Sequence, residues 1–380
     1  MIMHIFEEHA MSNSKSQYLE KLENCLCPPG DGVFTVNTAK ERKEALRQKL
    51  YGQTEGVENL WKDSLKTIEQ SEHKAAILGI SSDCGGGILR GANWGPLFLR
   101  STLIEQQPET SAFDLGDVRV IPHLLHDKYL NEGTISNCQK ALYQDENSDY
   151  FVAPLSITED VCDGFYKHYP DKGVFGIGGD HSISYPLTKA YLKAKRDQGK
   201  RTAIIHFDAH TDLLVERLGI DLCFGSWCTH ILEFLPAPHH LIQFGIRSSG
   251  KAKEHWEGTF GVKQHWAHEI REQGAEAIVA QVIEQLKADN VDELYVSFDI
   301  DALDEEFAAA TGTPETGGLT PEEAMTILKA LSEEFPITGA DMMEIAPFTD
   351  SSLAGQSSSE TTLREGAKLS AFLIDAMNKA

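Results

Sequence analysis

The stretch Thr202-Ala203-Ile204-Ile205-His206-Phe207-Asp208-Ala209-His210-Thr211-Asp212 decides how the rest of the chain is read. Its first part is β-branched and apolar, the composition of a buried strand, and its second part is rich in carboxylates and imidazoles. In an extended segment Asp208, His210 and Asp212 point to one side, because strand side chains alternate with period two. Three metal-ligand side chains therefore converge at a strand end. A solvated loop would explain a single Asp-x-His equally well, so the reading depends on matching clusters elsewhere. His206 reads as core or as a support for the ligands rather than as a ligand itself.

Two further apolar runs end in the same way. Gly178-Gly179-Asp180-His181-Ser182 follows the run 173–177, and Asp299-Ile300-Asp301 follows the run 294–298. Ligands of open α/β sheets bind beyond the carboxyl ends of the strands where the strand order reverses, so these clusters can meet in one site. Charged groups at the ends of apolar strands are costly to bury unless they are paired or bound to cations. A set of six ligands with four carboxylates suits two divalent ions. Two such ions share a bridging water and lower its pKa, which readies hydroxide for attack on an electrophilic carbon or phosphorus. Imidazole nitrogens with hard carboxylate oxygens suit Mn2+ first, then Ni2+, with cobalt or zinc also compatible.

Outward from this centre, short β-rich runs at 75–80, 173–177, 202–207, 241–246, 294–298 and 337–342 alternate with helical patterns at 157–169, 183–196, 275–288, 321–334 and 361–378. That alternation predicts an α/β fold with a mostly parallel sheet. Thr320-Pro321-Glu322-Glu323 supplies an N-cap, a first-turn proline and early acids. Residues 1–74 are polar, with helical patterns at 39–50 and 57–68, and read as an N-terminal extension docked on a main domain at 75–380. The extension has too few apolar residues for a core of its own. Residues 351–359 form a serine-rich loop.

The net charge of −24 excludes the basic footprint that nucleic acid or an anionic membrane demands. No run approaches the roughly 18 uninterrupted apolar residues of a membrane span. The seven cysteines are scattered, without zinc-knuckle or thioredoxin-like spacing, and the first residues resemble neither a signal nor a transit peptide. A reduced, cytoplasmic chain is the expectation. Gly85-Gly86-Gly87 follows a strand but lacks both Gly-x-Gly-x-x-Gly spacing and a P-loop lysine, which argues against a nucleotide site.

Three motifs in order, Gly178-Gly179-Asp180-His181-Ser182, the central stretch, and Ser297-Phe298-Asp299-Ile300-Asp301-Ala302-Leu303-Asp304 followed by Ala310-Thr311-Gly312-Thr313-Pro314, resemble the arginase/agmatinase/formimidoylglutamase (ureohydrolase) family. The resemblance covers residue 75 to the C-terminus. It implies a three-layer α/β/α domain and a dinuclear metal centre. By motif position His181, Asp208, Asp212 and Asp299 would hold one ion, and Asp208, His210, Asp299 and Asp301 the other, with Asp208 and Asp299 bridging. Glu344, in Asp341-Met342-Met343-Glu344-Ile345-Ala346-Pro347, matches the acid that grips the substrate guanidinium, and Asp212 is expected to manage a proton. The resemblance also implies a trimer or hexamer and places the glycine-rich loop near the pocket mouth.

The chain departs from that pattern at Cys223-Phe224-Gly225-Ser226-Trp227-Cys228-Thr229-His230. Phe224 stands where arginases and agmatinases carry a histidine, and His230 is the candidate substitute. Phe224 and Trp227 as apolar walls would shrink the cavity and could stack on a planar guanidinium. The expectation is a metal-dependent hydrolase of C–N bonds in a small guanidino or amidino compound, a guanidine-hydrolase-like member, with agmatine, guanidinobutyrate and formimidoylglutamate as alternative substrates. A single-zinc deacetylase of related fold and a non-catalytic relative are the rival readings.

Overall fold

In the computed structural model, which describes residues 2–33, 35, 37–86, 89–349 and 359–380, the apolar runs pair into one sheet whose nine strands lie in the order β1-β3-β2-β4-β9-β8-β5-β6-β7. These are β1 (Leu26–Cys27), β2 (Ala75–Gly79), β3 (Phe113–Val118), β4 (Gly173–Ile177), β5 (Thr202–Phe207), β6 (Leu241–Phe244), β7 (Lys263–His265), β8 (Glu293–Asp299) and β9 (Ile337–Met343). All neighbours run parallel except β1 and β3. Gly87 and the serine-rich residues 351–358 lie outside the described residues, and Ser359 begins the C-terminal helix.

Period-two alternation along β5 sends Ile205 and Phe207 to one apolar cluster and Ile204 to the other. The first cluster packs the helices Gly95–Gln106, Ala275–Ala288, Pro321–Glu334 and Ser359–Lys379 on one face of the sheet. The second packs Pro154–His168 and Ser184–Asp197 on the other. The result is three layers, α/β/α. Phe207 stacks between Phe244 and Phe298, with ring centroids 5.3 and 4.8 Å away, each pair contributing on the order of 1 kcal/mol beyond its area burial.

Residues before β2 share this second cluster: Leu22, Leu26 and Trp61 are buried in it, and Trp61 donates to the Leu115 carbonyl at 3.0 Å. Asp117 fastens the same segment, accepting from Gly30 N–H at 2.8 Å and Gly32 N–H at 3.1 Å while Arg100 Nη1 donates at 2.7 Å. Among the described residues no helix is long and apolar enough to cross a membrane.

The chain order places the functional edge. After β5 the chain winds outward through β6 and β7, then returns with β8 and β9 to fill the space between β5 and β4. The carboxyl ends of β4, β9, β8 and β5 are therefore side by side at the point where the winding reverses. Close approach there demands glycine: a Cβ on Gly179 would lie 1.6 Å from the Ser82 carbonyl oxygen.

Candidate metal centre

The period-two reading of the central stretch holds only as far as Asp208. β5 ends at Phe207, His210 N–H donates to Asp208 Oδ1 at 2.6 Å, and Asp212 adopts a left-handed backbone with φ of 51°. The three ligands converge through a turn, not through an extended strand. Asp208, buried between them, is the common member of two groups of ligand atoms: His181, His206, Asp208 and Asp212 in one, and Asp208, His210 and Asp301 in the other.

In the first group His181 Nδ1 lies 3.1 Å from Asp208 Oδ2, 3.3 Å from Asp212 Oδ2 and 3.0 Å from Asp299 Oδ2. Its other nitrogen, Nε2, lies 3.0 Å from Ser297 Oγ, and Ser297 donates its own proton to Asp341 at 2.8 Å. The serine oxygen can then only accept, so Nε2 carries a ring proton and Nδ1 is the nitrogen turned to the three carboxylates. Ser184 and Tyr295 also donate to Asp341, at 3.0 and 2.7 Å, which satisfies this buried acid.

His206 supports Asp208 from below. Its Nε2 is 2.9 Å from Asp208 Oδ2, and Gln243 Nε2 lies 2.8 Å from its Nδ1. In the second group His210 Nδ1 is 3.2 Å from both Asp208 Oδ1 and Asp301 Oδ2, while its Nε2 faces Glu315 at 3.6 Å. Thr313 donates to Asp301 Oδ2 at 3.0 Å and the Ala209 N–H to Asp301 Oδ1 at 3.1 Å. Arg247 ties these loops together, donating to the carbonyls of Asp301, Leu303 and Glu315 at 2.7, 3.0 and 2.9 Å.

Glu344, buried at the end of β9 with φ of 64°, accepts the His181 backbone N–H through Oε1 at 2.9 Å. Burial and the nearby Asp299 and Asp180 push its carboxyl well above the usual range. Asp212 is raised by burial and by Asp208, and Asp299 by burial, Asp301 and Asp208. Burial pulls the His181 imidazole down, but Asp208 and Asp299 outweigh it and lift the ring well above its ordinary value. Even a protonated His181 carries one positive charge against three carboxylates at 3.0–3.3 Å, so the cluster stays short of positive charge. A donor set of two imidazoles and four carboxylates in that state fits divalent cations, whose charge removes the repulsion.

A cavity of about 200 Å³ opens onto this cluster, lined by His210, Asp212, Arg217, Phe224, Ser249 and Trp256 among others. The Phe224 ring is covered by the Arg217 guanidinium, 5.1 Å from its centroid, and the Phe224 N–H donates to Gly85 at 3.0 Å. That bond brings the glycine-rich loop to the cavity. A larger cavity of about 370 Å³ lies between Phe335 and Phe372, at the amino end of β9 and remote from the cluster.

Two expectations change. Trp227 is not a cavity wall: it is fully buried beneath the cluster, 5.0 Å from both the His181 and His206 rings, and donates its indole N–H to Asp212. His230 does not join the cluster either. Its Nε2 is 2.8 Å from the Asp221 carbonyl oxygen and its ring faces Tyr185, so it fastens the loop that carries Phe224. The supports Ser297, Asp341, Glu315 and Gln243 carried no role in the sequence reading. A lone Asp341 inside the apolar run 337–343 was the signal that could have found one of them.

Residues 73–372 match the family model described as the arginase family. An agmatinase from Bacillus subtilis is 34% identical over 209 residues, 54% of this chain and 67% of that protein. An agmatinase from Salmonella newport is 36% identical over 182 residues, 48% of this chain and 54% of that protein, so the match spans about half its length. The crystal structure of formimidoylglutamase from Bacillus subtilis covers 80% of this chain and 87% of its own with a TM-score of 0.63 at 22% identity, a likeness of fold.

Proposed function

The chain belongs to the arginase family, and from that premise we propose that it is a metal-dependent hydrolase cleaving a C–N bond of a small guanidino or amidino compound. One observation carries the proposal: Asp208, Asp212 and Asp299, all buried, converge on the single imidazole nitrogen His181 Nδ1 at 3.0–3.3 Å. The residues that would hold two divalent ions are His181, Asp208, Asp212 and Asp299 for one and Asp208, His210, Asp299 and Asp301 for the other. When bound, such ions supply Lewis acidity and a lowered water pKa.

The chain's own groups do the rest. Glu344, held in place by the His181 N–H, binds the positively charged guanidinium and keeps the reacting carbon oriented toward the cluster. Asp212 keeps Oδ2 anchored on the Trp227 N–H and uses its remaining oxygen to take and return a proton. A guanidino substrate yields urea with ammonia or an amine, and a formimidoyl substrate yields formamide with an amine. The cavity of about 200 Å³ is smaller than the roughly 300 Å³ at which drug-sized pockets begin, which supports a substrate as small as guanidine.

Arg217 favours a second reading. A cation lining the cavity repels guanidine but pairs with a carboxylate, as in guanidinobutyrate or formimidoylglutamate. A panel of guanidine, agmatine, guanidinobutyrate, formimidoylglutamate and arginine, offered to manganese- and nickel-loaded protein, separates the two readings. Turnover of guanidine with little loss in Arg217→Gln supports the first. Preference for an acid that disappears in Arg217→Gln supports the second. Release of neither urea, ammonia nor formamide from any of them rejects both.

A further inference from the structure

At the opposite end of the strands from the cluster, where β6 begins, the turn Pro238–His240 meets the end of the helix Ala275–Ala288. His239, His240 and Asp289 bring ligand atoms there to within 4.8 Å of one another. His240 is fully buried, and its Nδ1 lies 2.9 Å from the Thr202 carbonyl oxygen. A carbonyl only accepts, so Nδ1 carries the ring proton and Nε2 presents a lone pair.

That Nε2 has no hydrogen-bond partner, and neither has the buried Asp289 Oδ2, 4.0 Å away. His239 Nε2 lies 3.2 Å from the same carboxylate oxygen without hydrogen-bonding to it. Arg201 binds Asp289 through the backbone carbonyl, Nε to oxygen 3.0 Å, and leaves Oδ2 without a donor. Two acceptors facing each other in a buried place are destabilising unless something positive lies between them.

We propose that His239, His240 and Asp289 form a further metal site, separate from the cluster at the carboxyl ends of the strands, for a zinc-type divalent ion. Two imidazole nitrogens and one carboxylate oxygen are ligands of that class. Bond lengths near 2.0–2.2 Å in a tetrahedron put neighbouring ligand atoms about 3.3 Å apart, close to the 3.2 Å between His239 and Asp289. Closing the 4.0 Å gap to His240 needs a shift of under about 1 Å, which side-chain rotation of the part-exposed Asp289 supplies. The Thr202 carbonyl is the outer partner that fixes the imidazole for coordination. His239 is 39% exposed, which leaves the fourth position to water. Such an ion would pin the start of β6 to the end of the helix Ala275–Ala288, a structural role.

Anomalous diffraction at the zinc edge from crystals of the full-length, manganese-loaded protein supplied with zinc tests the site directly. Zinc content after dialysis, compared among wild type, His239→Ala and Asp289→Asn, tests it in solution; His239 is part-exposed, so its truncation spares the fold. The expected result is a peak between the three residues, and about one more zinc per chain in wild type than in either variant. Manganese content should be the same in all three proteins. Absence of a peak there, or equal zinc in wild type and both variants, overturns the proposal.

Discussion

The Trp227 indole N–H donates to Asp212 Oδ2 at 2.8 Å, so the largest side chain of the 223–230 segment supports a candidate ligand instead of lining the cavity. Trp227→Phe keeps an aromatic ring against His181 and His206 and removes only this donor and some volume. Orienting partners of metal ligands are worth roughly 10–100-fold in affinity, and that loss is expected for manganese, read by titration calorimetry. Unchanged affinity would show that Asp212 is held by its backbone alone.

Asp341 reaches His181 through Ser297 and accepts three hydroxyls. Asn at this position keeps the shape but replaces one acceptor with an N–H₂, so a hydroxyl must turn away and the His181 tautomer is no longer enforced. Asp341→Asn should lose roughly 10–100-fold in metal affinity and retain its far-ultraviolet dichroism. Wild-type affinity would mean that the serine hydroxyl orients His181 without help.

His230 fastens the Asp221 carbonyl, and Ser226 Oγ binds the same oxygen at 2.6 Å. A loop anchor and a proton carrier behave differently on substitution. His230→Gln should change KM more than kcat and leave the pH profile of kcat in place. A loss of kcat by about 100-fold or more, with an inflection removed, would restore a proton-transfer role to His230.

Glu293, at the start of β8, gives a pH dependence away from the cluster. Burial alone would raise its carboxyl, but Lys195 at 2.6 Å, the Thr338 hydroxyl at 2.7 Å and Lys200 at 3.3 Å outweigh it and hold it below the ordinary 4.5. A folded pKa below the unfolded one means that the unfolded chain binds more protons, so stability from this group is present above pH 4.5 and lost as pH falls through the depressed value. The Tm gap between wild type and Glu293→Gln should therefore be widest at neutral pH and narrow below pH 4.5. A gap that is constant across this range would contradict the assignment.

Elements with an uninterrupted local signal were legible in the sequence. β5 and the helix Pro321–Glu334 fall at the expected bounds, the first because β-branched residues fill it, the second because Thr320 and Glu323 form a reciprocal cap. The helix Ile2–Cys25 was missed because its sequence shows no continuous apolar stripe; Tyr18, Leu22 and Cys25, toward its end, are buried in the core. β3 was missed because Asp114, Gly116 and Asp117 break its pattern; Arg100 pairs with both acids across the fold. The candidate ligands were readable because acids ending apolar strands are costly. Their supports were not, since Trp227 under Asp212 and Asp341 behind His181 are tertiary relationships, the second between residues 160 positions apart.

Most directly, the central claim rests on how product release depends on the number of ions bound. Metal-free protein titrated with Mn2+ or Ni2+, with bound metal and release of urea or ammonia from the guanidino panel followed together, should gain activity with the second equivalent. Asp299→Asn, which alters a carboxylate assigned to both ions, should lose at least about a hundredfold. Full activity with a single bound ion, or an active Asp299→Asn, would contradict the account.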